Sequence, residues 1–412
     1  MEQMIQFLRR SGMHPDSIDP DRGIESFRTA MQDGLGCKAS SLMMLPAYIN
    51  PASGIPMDTP VAVLDAGGTN LRVALVCFSS HGPMVLADRH LPMPGTQGAL
   101  TWEAFLEELA QVLLPIAKQT ERLGFCFSFP ARITPETDGE VICFNKEVQV
   151  SGASGKLVCR DLAALLNESY GCHIKHTVLL NDTVATLLGG YAQADRSLYD
   201  SYLGFILGTG MNCCYVEPSM QMIINMEAGG YNGFPRGIYD LAVDNASANP
   251  GDHQIEKMVS GKYLGEIIEA ALKGAAREGL FTEPCAEKIL DLPPFDMSEV
   301  SALLAEEDGL LSAACGDETD RIRMRTLVET CVDRAAKMLA VMFTAILEQT
   351  DAGREKPACI VAEGSTFWKC EVYRKSIDAY LKALATEQRG RRYVFRTADN
   401  ANLLGAAAAA LF

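Results

Sequence analysis

An α/β protein of two lobes is the architecture predicted by three features of this sequence. Patterns of helix and strand alternate along most of the chain. Two distant segments, VAVLDAGGTNLRVALV (Val61 to Val76) and YLGFILGTGMNCCYVE (Tyr202 to Glu217), repeat one design: apolar run, Gly/Thr turn, Asn, apolar run. And 412 residues at 48% hydrophobic content exceed what one core usually holds.

Taken in order, residues 1 to 57 read as an amphipathic helical start, with SFRTAMQDGL the most periodic part, then a Pro/Gly-containing approach to the first repeat. Each repeat reads as a β-hairpin. Glycines at the bends, Gly67 and Gly68 in one and Gly208 and Gly210 in the other, allow φ > 0 and close ligand approach. Trp102 to Leu123 is helical in pattern; ERLGFCFSFP is a strand ending at Pro130; RDLAALLNESYG is a helix stopped by Gly171. TVLLNDTVATLLGGY starts as a strand and turns helical near Asp182. A mostly helical stretch follows the second hairpin and includes a long buried helix over Asp320 to Gln349; ACIVAEGS is then a strand entering a Gly turn before another helix. No long linker separates the lobes, so an interface between them is expected.

Composition excludes several functions. A net charge of −16 argues against nucleic acid and anionic membranes as partners. An anionic ligand would need a local patch of backbone N–H groups, magnesium or selected basic residues. The thirteen cysteines contain no Cys-x-x-Cys pair, which fits reduced thiols better than a disulfide scaffold or a zinc site. With no signal-like apolar stretch at the start and a short apolar tail, the expectation is a soluble cytoplasmic protein.

The duplicated hairpin suits a nucleotide phosphate chain, gripped from both sides by backbone N–H groups and threonine hydroxyls. Asn181-Asp182 stands where a buried strand gives way to a helix, a usual ligand position in α/β sheets. There Asp182 is either a catalytic base toward an attacking hydroxyl or the N-cap of the helix, and the two roles are compatible. Ser128 and Pro130 follow an apolar strand. Lys146, Glu227 and Glu256 read either as surface charges or, for the two glutamates, as paired acceptors for neighbouring hydroxyls. SGASGK is not a Walker loop, because Val150 and Leu157 occupy positions that need Gly and Ser/Thr. GTGMNC lacks a third glycine and leads into a strand. His173 and His176 lie in an extended segment, so they do not have the helical spacing of metal ligands.

LDAGGTNLRV, FSFP, the Lys146 segment, LNDTVATLL, GTGMNCCYVE, INMEAGG, NPGDHQIEKMVSGKYLGEI and AEGSTFW occur in an order that resembles the eukaryotic-type hexokinases of the actin-like ATPase superfamily. SSLMMLPAYI resembles the family's segment before its first hairpin. The resemblance covers nearly the whole chain. It implies the ribonuclease H-like, actin-like fold, with a small domain over 60–183 plus 399–412 and a large domain over 1–59 plus 184–398 around a central cleft. It further implies ATP and Mg2+ as cofactors, with a hexose and Mg-ATP as the small-molecule partners. Asp182 is then the base for the sugar 6-hydroxyl, with no need of an unusual pKa. Ser128, Lys146, Asn181, Asn212, Glu227 and Glu256 match the family's sugar contacts. Asp65, Gly67, Gly68, Thr69, Asn70 and Arg72 match its first phosphate loop, Gly208 and Thr209 its second, and Gly364, Ser365 and Thr366 its adenosine side. Asp65 is the residue to orient the magnesium, directly or through water.

The sequence departs from the family pattern at Asn145 (usually Thr), at Ala228 (usually Trp), at Leu404 (usually basic) and in a shortened Glu227 to Glu256 segment. These changes bear on sugar preference and nucleotide affinity. The implied activity is an ATP-dependent hexokinase or glucokinase. The alternatives are a kinase for another hexose or an amino sugar, a sugar sensor with little turnover, and an actin-like filament ATPase. The last has no use for a polyol site.

Overall fold

The computed structural model describes residues 1–51, 54–144 and 147–412. Its two main sheets share one topology. In the first, the strands run in the spatial order His176–Leu180, Arg122–Phe127, Val61–Ala66, Asn70–Ser79, Gly82–Pro92. In the second, the order is Leu45–Pro46, Met222–Asn225, Met211–Glu217, Tyr202–Leu207, Ala358–Glu363, Tyr393–Arg396. Each therefore contains a three-stranded antiparallel meander whose first strand also pairs with a fourth strand in parallel, and the fourth with a fifth. The two hairpins read from the sequence are the first two strands of each meander.

Burial on both faces explains why these strands read as unbroken apolar runs. In Val61–Ala66, Ala62, Leu64 and Ala66 face the helices Trp102–Ala117 and Val158–Tyr170, while Val61 and Val63 face the C-terminal helix Ala401–Ala409. In the second sheet Phe205 packs edge-on against Phe343 at 4.8 Å between ring centres. Phe343 belongs to the helix Glu318–Gln349, which is buried around much of its circumference from Ala335 to Leu347. That helix is anchored by Arg334, whose guanidinium bridges both carboxylate oxygens of Asp240 at 3.1 and 2.6 Å with both side chains buried.

Three expectations change. The helix from Trp102 stops at Ala117 and the strand that follows stops at Phe127, so both elements end before the Leu123 and Pro130 limits read from periodicity. None of Gly67, Gly68, Gly208 and Gly210 has a left-handed φ. At Gly210 the need is for space, since a Cβ there would lie 2.7 Å from Glu256 Oε2. The Gly171 stop does hold, at φ 65°.

The helix Asp182–Gln193 follows the last strand of the first sheet yet packs on the second; Ala401–Ala409 follows the last strand of the second yet packs on the first. The two helices cross where neither has a side chain in the way. A Cβ on Gly189 would fall 2.4 Å from Ala401 O, and one on Gly405 would fall 2.0 Å from Ala185 O. Gly124 and Gly204 admit the two helices to the sheets in the same manner, with Ala406 O and Thr183 O at 2.1 and 2.4 Å from the added atom. Gly405→Val should therefore lower unfolding free energy by about 3 kcal/mol or more in chemical denaturation, with the helices forced apart.

Candidate active site

The candidate residues sit at the carboxyl ends of the parallel strands of both sheets, where loops face the cleft between them. Asn181 resolves the ambiguity over capping: it is the N-cap of the helix Asp182–Gln193, its Oδ1 accepting the Thr183 N–H at 2.9 Å. Asp182 is thus the first helical residue, and its carboxylate also takes a hydrogen bond from the Thr183 backbone N–H. Its carboxylate accepts a hydrogen bond from Thr183 Oγ1 at 3.3 Å and another from the Ser128 hydroxyl. Burial pushes the Asp182 carboxyl above its ordinary range, and hydrogen bonds to it hold it partly back.

Across the cleft, Glu227 and Glu256 are positioned by backbone rather than by salt bridges. Glu256 Oε2 accepts the Met211 N–H at 2.9 Å. Glu227 adopts a left-handed φ of 50°, and its Oε1 accepts from Asn225 Nδ2 at 2.7 Å. Asn225 Oδ1 in turn accepts from Asn212 Nδ2 at 2.9 Å, while Asn212 Oδ1 takes the Ala228 and Cys213 N–H groups at 3.0 and 2.7 Å. Burial pushes the Glu227 carboxyl up, and the Asp182 and Glu256 charges add to that rise. Ser128, Asn181, Asp182, Asn212, Glu227 and Glu256 are all half-buried, with polar atoms in reach of a ligand. Lys146 and its neighbour Asn145 lie outside the described residues.

On the phosphate side, the first turn closes through Gly67 N–H to Asn70 O at 3.0 Å, leaving Gly68, Thr69 and Asn70 exposed. Asp65 lies level with Arg72 on one neighbouring strand and Cys126 on the other. Burial raises its carboxyl, helped by the Asp182 charge and opposed by hydrogen bonds from Cys126 and Asn402. Arg72 is engaged, its guanidinium bonded twice to Asp88 at 2.9 and 2.6 Å. In the second turn Gly208 N–H reaches Gly210 O at 3.0 Å, and Gly208 O accepts from Gly261 N and Thr366 Oγ1 at 2.7 and 3.1 Å. Gly364 has φ 109°, with Leu207 O only 2.3 Å from where a Cβ would stand. Thr209, Ser365 and Thr366 open onto a cavity of about 700 Å3, walled further in by Lys262, Phe295 and Lys369. That volume suits a nucleoside.

Two cleft residues escaped the sequence reading. Asn225 follows an apolar strand with nothing to mark it. Glu363 did carry a signal, because an acid after an apolar run and before a Gly turn repeats the placement of Asp65 in LDAGGT. Among the described residues no three His, Cys, Asp or Glu side chains converge as a metal cage. Asp65 fits a magnesium ion that brings phosphate and water ligands of its own, which is how that cation is usually held. All thirteen cysteines are free. Among the described residues, no helix is long and apolar enough to cross a membrane.

Family profiles described as Hexokinase match residues 12–191 and 202–412. Hexokinase-1 of Nicotiana tabacum is 30% identical over 93% of this chain and 85% of its own. Hexokinase-1 of Oryza sativa is 29% identical over 92% of this chain and 84% of its own. Among solved structures, a hexokinase superposes with a TM-score of 0.78 at 24% identity, covering 98% of this chain and 99% of that one. The Schistosoma mansoni hexokinase complexed with glucose gives 0.71 at 23% identity, covering 99% of both chains. The doubled sheet topology and the cleft built at its strand ends are accordingly those of a sugar kinase, and this chain belongs to the hexokinase family.

Proposed function

We propose that this hexokinase-family enzyme transfers the γ-phosphate of ATP to the 6-hydroxyl of glucose, with Asp182 as the base. ATP-dependent hexose phosphorylation is the activity its family membership carries. The observation that supports the assignment of the base is the placement of Asp182: half-buried in the cleft at the start of its helix, with Asn181 as the N-cap and with Thr183 and the Ser128 hydroxyl holding its carboxylate. Glucose comes first because a solved hexokinase of this fold is complexed with it.

In this reading Glu227 and Glu256 accept hydrogen bonds from ring hydroxyls, and the Asn181 amide and Ser128 hydroxyl fix the end of the sugar that reacts. Buried acceptors of this kind reject ligands lacking the matching hydroxyl. Asp182 accepts the 6-hydroxyl proton as the oxygen attacks phosphorus in line, and no covalent enzyme intermediate is needed. The N–H groups and hydroxyls of Gly67 to Asn70 and of Gly208 and Thr209 hold the phosphates, while the cavity beside Ser365 and Thr366 takes the adenosine. Magnesium, when bound with ATP, neutralises phosphate charge, and Asp65 orients it through water. The small lobe, 60–183 with 399–412, closes on the large one, 1–59 with 184–398, and so excludes water that would otherwise hydrolyse ATP. Packing of the C-terminal helix on the first sheet supports grouping it with the small lobe. Ala228, fully buried beside Glu227, replaces an aromatic side chain usual in the family, which favours a second reading: a different hexose or an amino sugar.

Asp182→Ala should cut kcat by about 10^3-fold while glucose binding by calorimetry survives; retained turnover removes the base assignment. Because a protonated Asp182 cannot serve as base and its pKa is raised, kcat/KM should fall with decreasing pH on a limb lying above the ordinary aspartate range. Glu256→Gln should raise KM for the preferred sugar about tenfold, with kcat less affected. ADP release measured across glucose, mannose, fructose, glucosamine and N-acetylglucosamine identifies that sugar. Absent release from nucleotide-bound protein would favour a sensor or an untested sugar, and sugar-independent release would be ATP hydrolysis, as in a filament ATPase.

A further inference from the structure

Glu363 ends the strand Ala358–Glu363, level with Ile206 of the neighbouring parallel strand. The five residues before it are buried, whereas its own side chain is open to the cleft. Ser365 and Thr366, two and three residues after it, line the cavity of about 700 Å3. Its Oε2 accepts from Thr186 Oγ1 at 2.9 Å; Thr186 is fully buried and lies one helical turn beyond Asp182. The charges of Asp182 and Asp65 both act on it, and among the described residues no Lys or Arg forms an ion pair with any of the three acids. Like charges gathered together cost free energy, which Arg72 eases only at Asp65 and which a cation arriving with the ligand removes. Yet these acids do not converge closely enough to ligate a metal ion directly. A divalent cation between them would keep its phosphate and water ligands, and the carboxylates would act on the water.

We propose that Glu363 is a positioning residue for the divalent cation of the bound nucleotide, acting with Asp65 through the cation's water ligands from opposite walls of the cleft. The inference rests on the nucleotide site assigned above. It gives the large lobe its own hold on the cation, so that the cation is centred between the lobes rather than hung from the first hairpin alone. The bland role for Glu363 is to tie the helix to the strand through Thr186, and the two roles separate by experiment.

Calorimetric binding of ADP to the full-length protein, with excess Mg2+ and with EDTA, is to be compared for wild type, Glu363→Gln and Thr186→Val. Wild type should bind ADP more tightly with Mg2+. Glu363→Gln should lose about tenfold of that Mg2+-dependent gain, the scale of one screened attraction, while its metal-free ADP affinity stays the same or improves. Thr186→Val, close to isosteric, should keep the gain. An unchanged gain in Glu363→Gln, or an equal loss of affinity with and without metal, overturns the proposal. Loss of the gain in Thr186→Val as well assigns Glu363 the structural role and overturns it too. Wild type that binds no ADP under either condition instead refutes the nucleotide site itself.

Discussion

Contact of bare backbone between two helices holds the two halves of this molecule in register. Asp182–Gln193 and Ala401–Ala409 cross at Gly189 and Gly405, where no side chain separates them, and each lies on the sheet built by the other half of the chain. Because Asp182 is the first residue of one of these helices, the position of the proposed base follows directly from that crossing. Asn402, whose amide reaches Asp65, lies on the other. The residues assigned to sugar and to phosphate thus take their relative placement from a single close contact, one that no longer side chain can reproduce. Dense packing of this kind shifts between discrete arrangements rather than deforming continuously, which suits the proposed closure of the lobes.

The cleft concentrates acids on a protein already strongly negative. Asp65, Asp182, Glu227 and Glu363 all have carboxyls raised by burial, and the Asp182 charge adds to the rise in the other three. Their ionised forms are stable relative to solution only in part, so above the ordinary carboxylate range each detracts from folding stability, and the deficit disappears as pH falls through that range. What offsets it elsewhere is ordinary: two large apolar cores, and buried pairs such as Arg334 with Asp240. A site of this kind is destabilised when empty of cations and sugar hydroxyls and is relieved on binding both.

Much of this was legible from sequence because the informative residues sit at ends of strands. Apolar runs followed by Gly, Asn or acid mark Asp65, Asn181, Gly208 and Gly364 without reference to tertiary structure. What sequence could not show was which of two neighbouring side chains caps a helix: Asn181 and Asp182 are both good caps, and only the geometry assigns Oδ1 of Asn181 to the Thr183 N–H. Nor could it show that Arg72 is occupied by Asp88, since that pairing depends on a strand register with an irregularity between Leu75 and Val76. The bend glycines were recognised for the wrong reason. Periodicity and turn chemistry suggest positive φ, while at Gly210 the constraint is a neighbour far away in sequence, Glu256, and at Gly67 and Gly208 an added Cβ would meet nothing nearer than 3.8 Å. The helix limit at Ala117 is marked in the sequence only by the polar run Lys118 to Arg122, which a helix pattern can also carry on an exposed turn.

The carbonyl of Gly208 accepts two hydrogen bonds, from Gly261 N–H at the start of one cavity wall and from Thr366 Oγ1 in another. The turn proposed to hold phosphate is therefore built on the same fixtures that shape the chamber proposed for the base. Selectivity among purine and pyrimidine donors cannot evolve independently of phosphoryl geometry here: enlarging the chamber at Gly261 or Thr366 moves the turn that aims the terminal phosphate. Divergence of nucleotide preference in such a protein has to proceed through other residues of the chamber wall, such as Phe295 and Lys369, which take no part in that turn's hydrogen bonding.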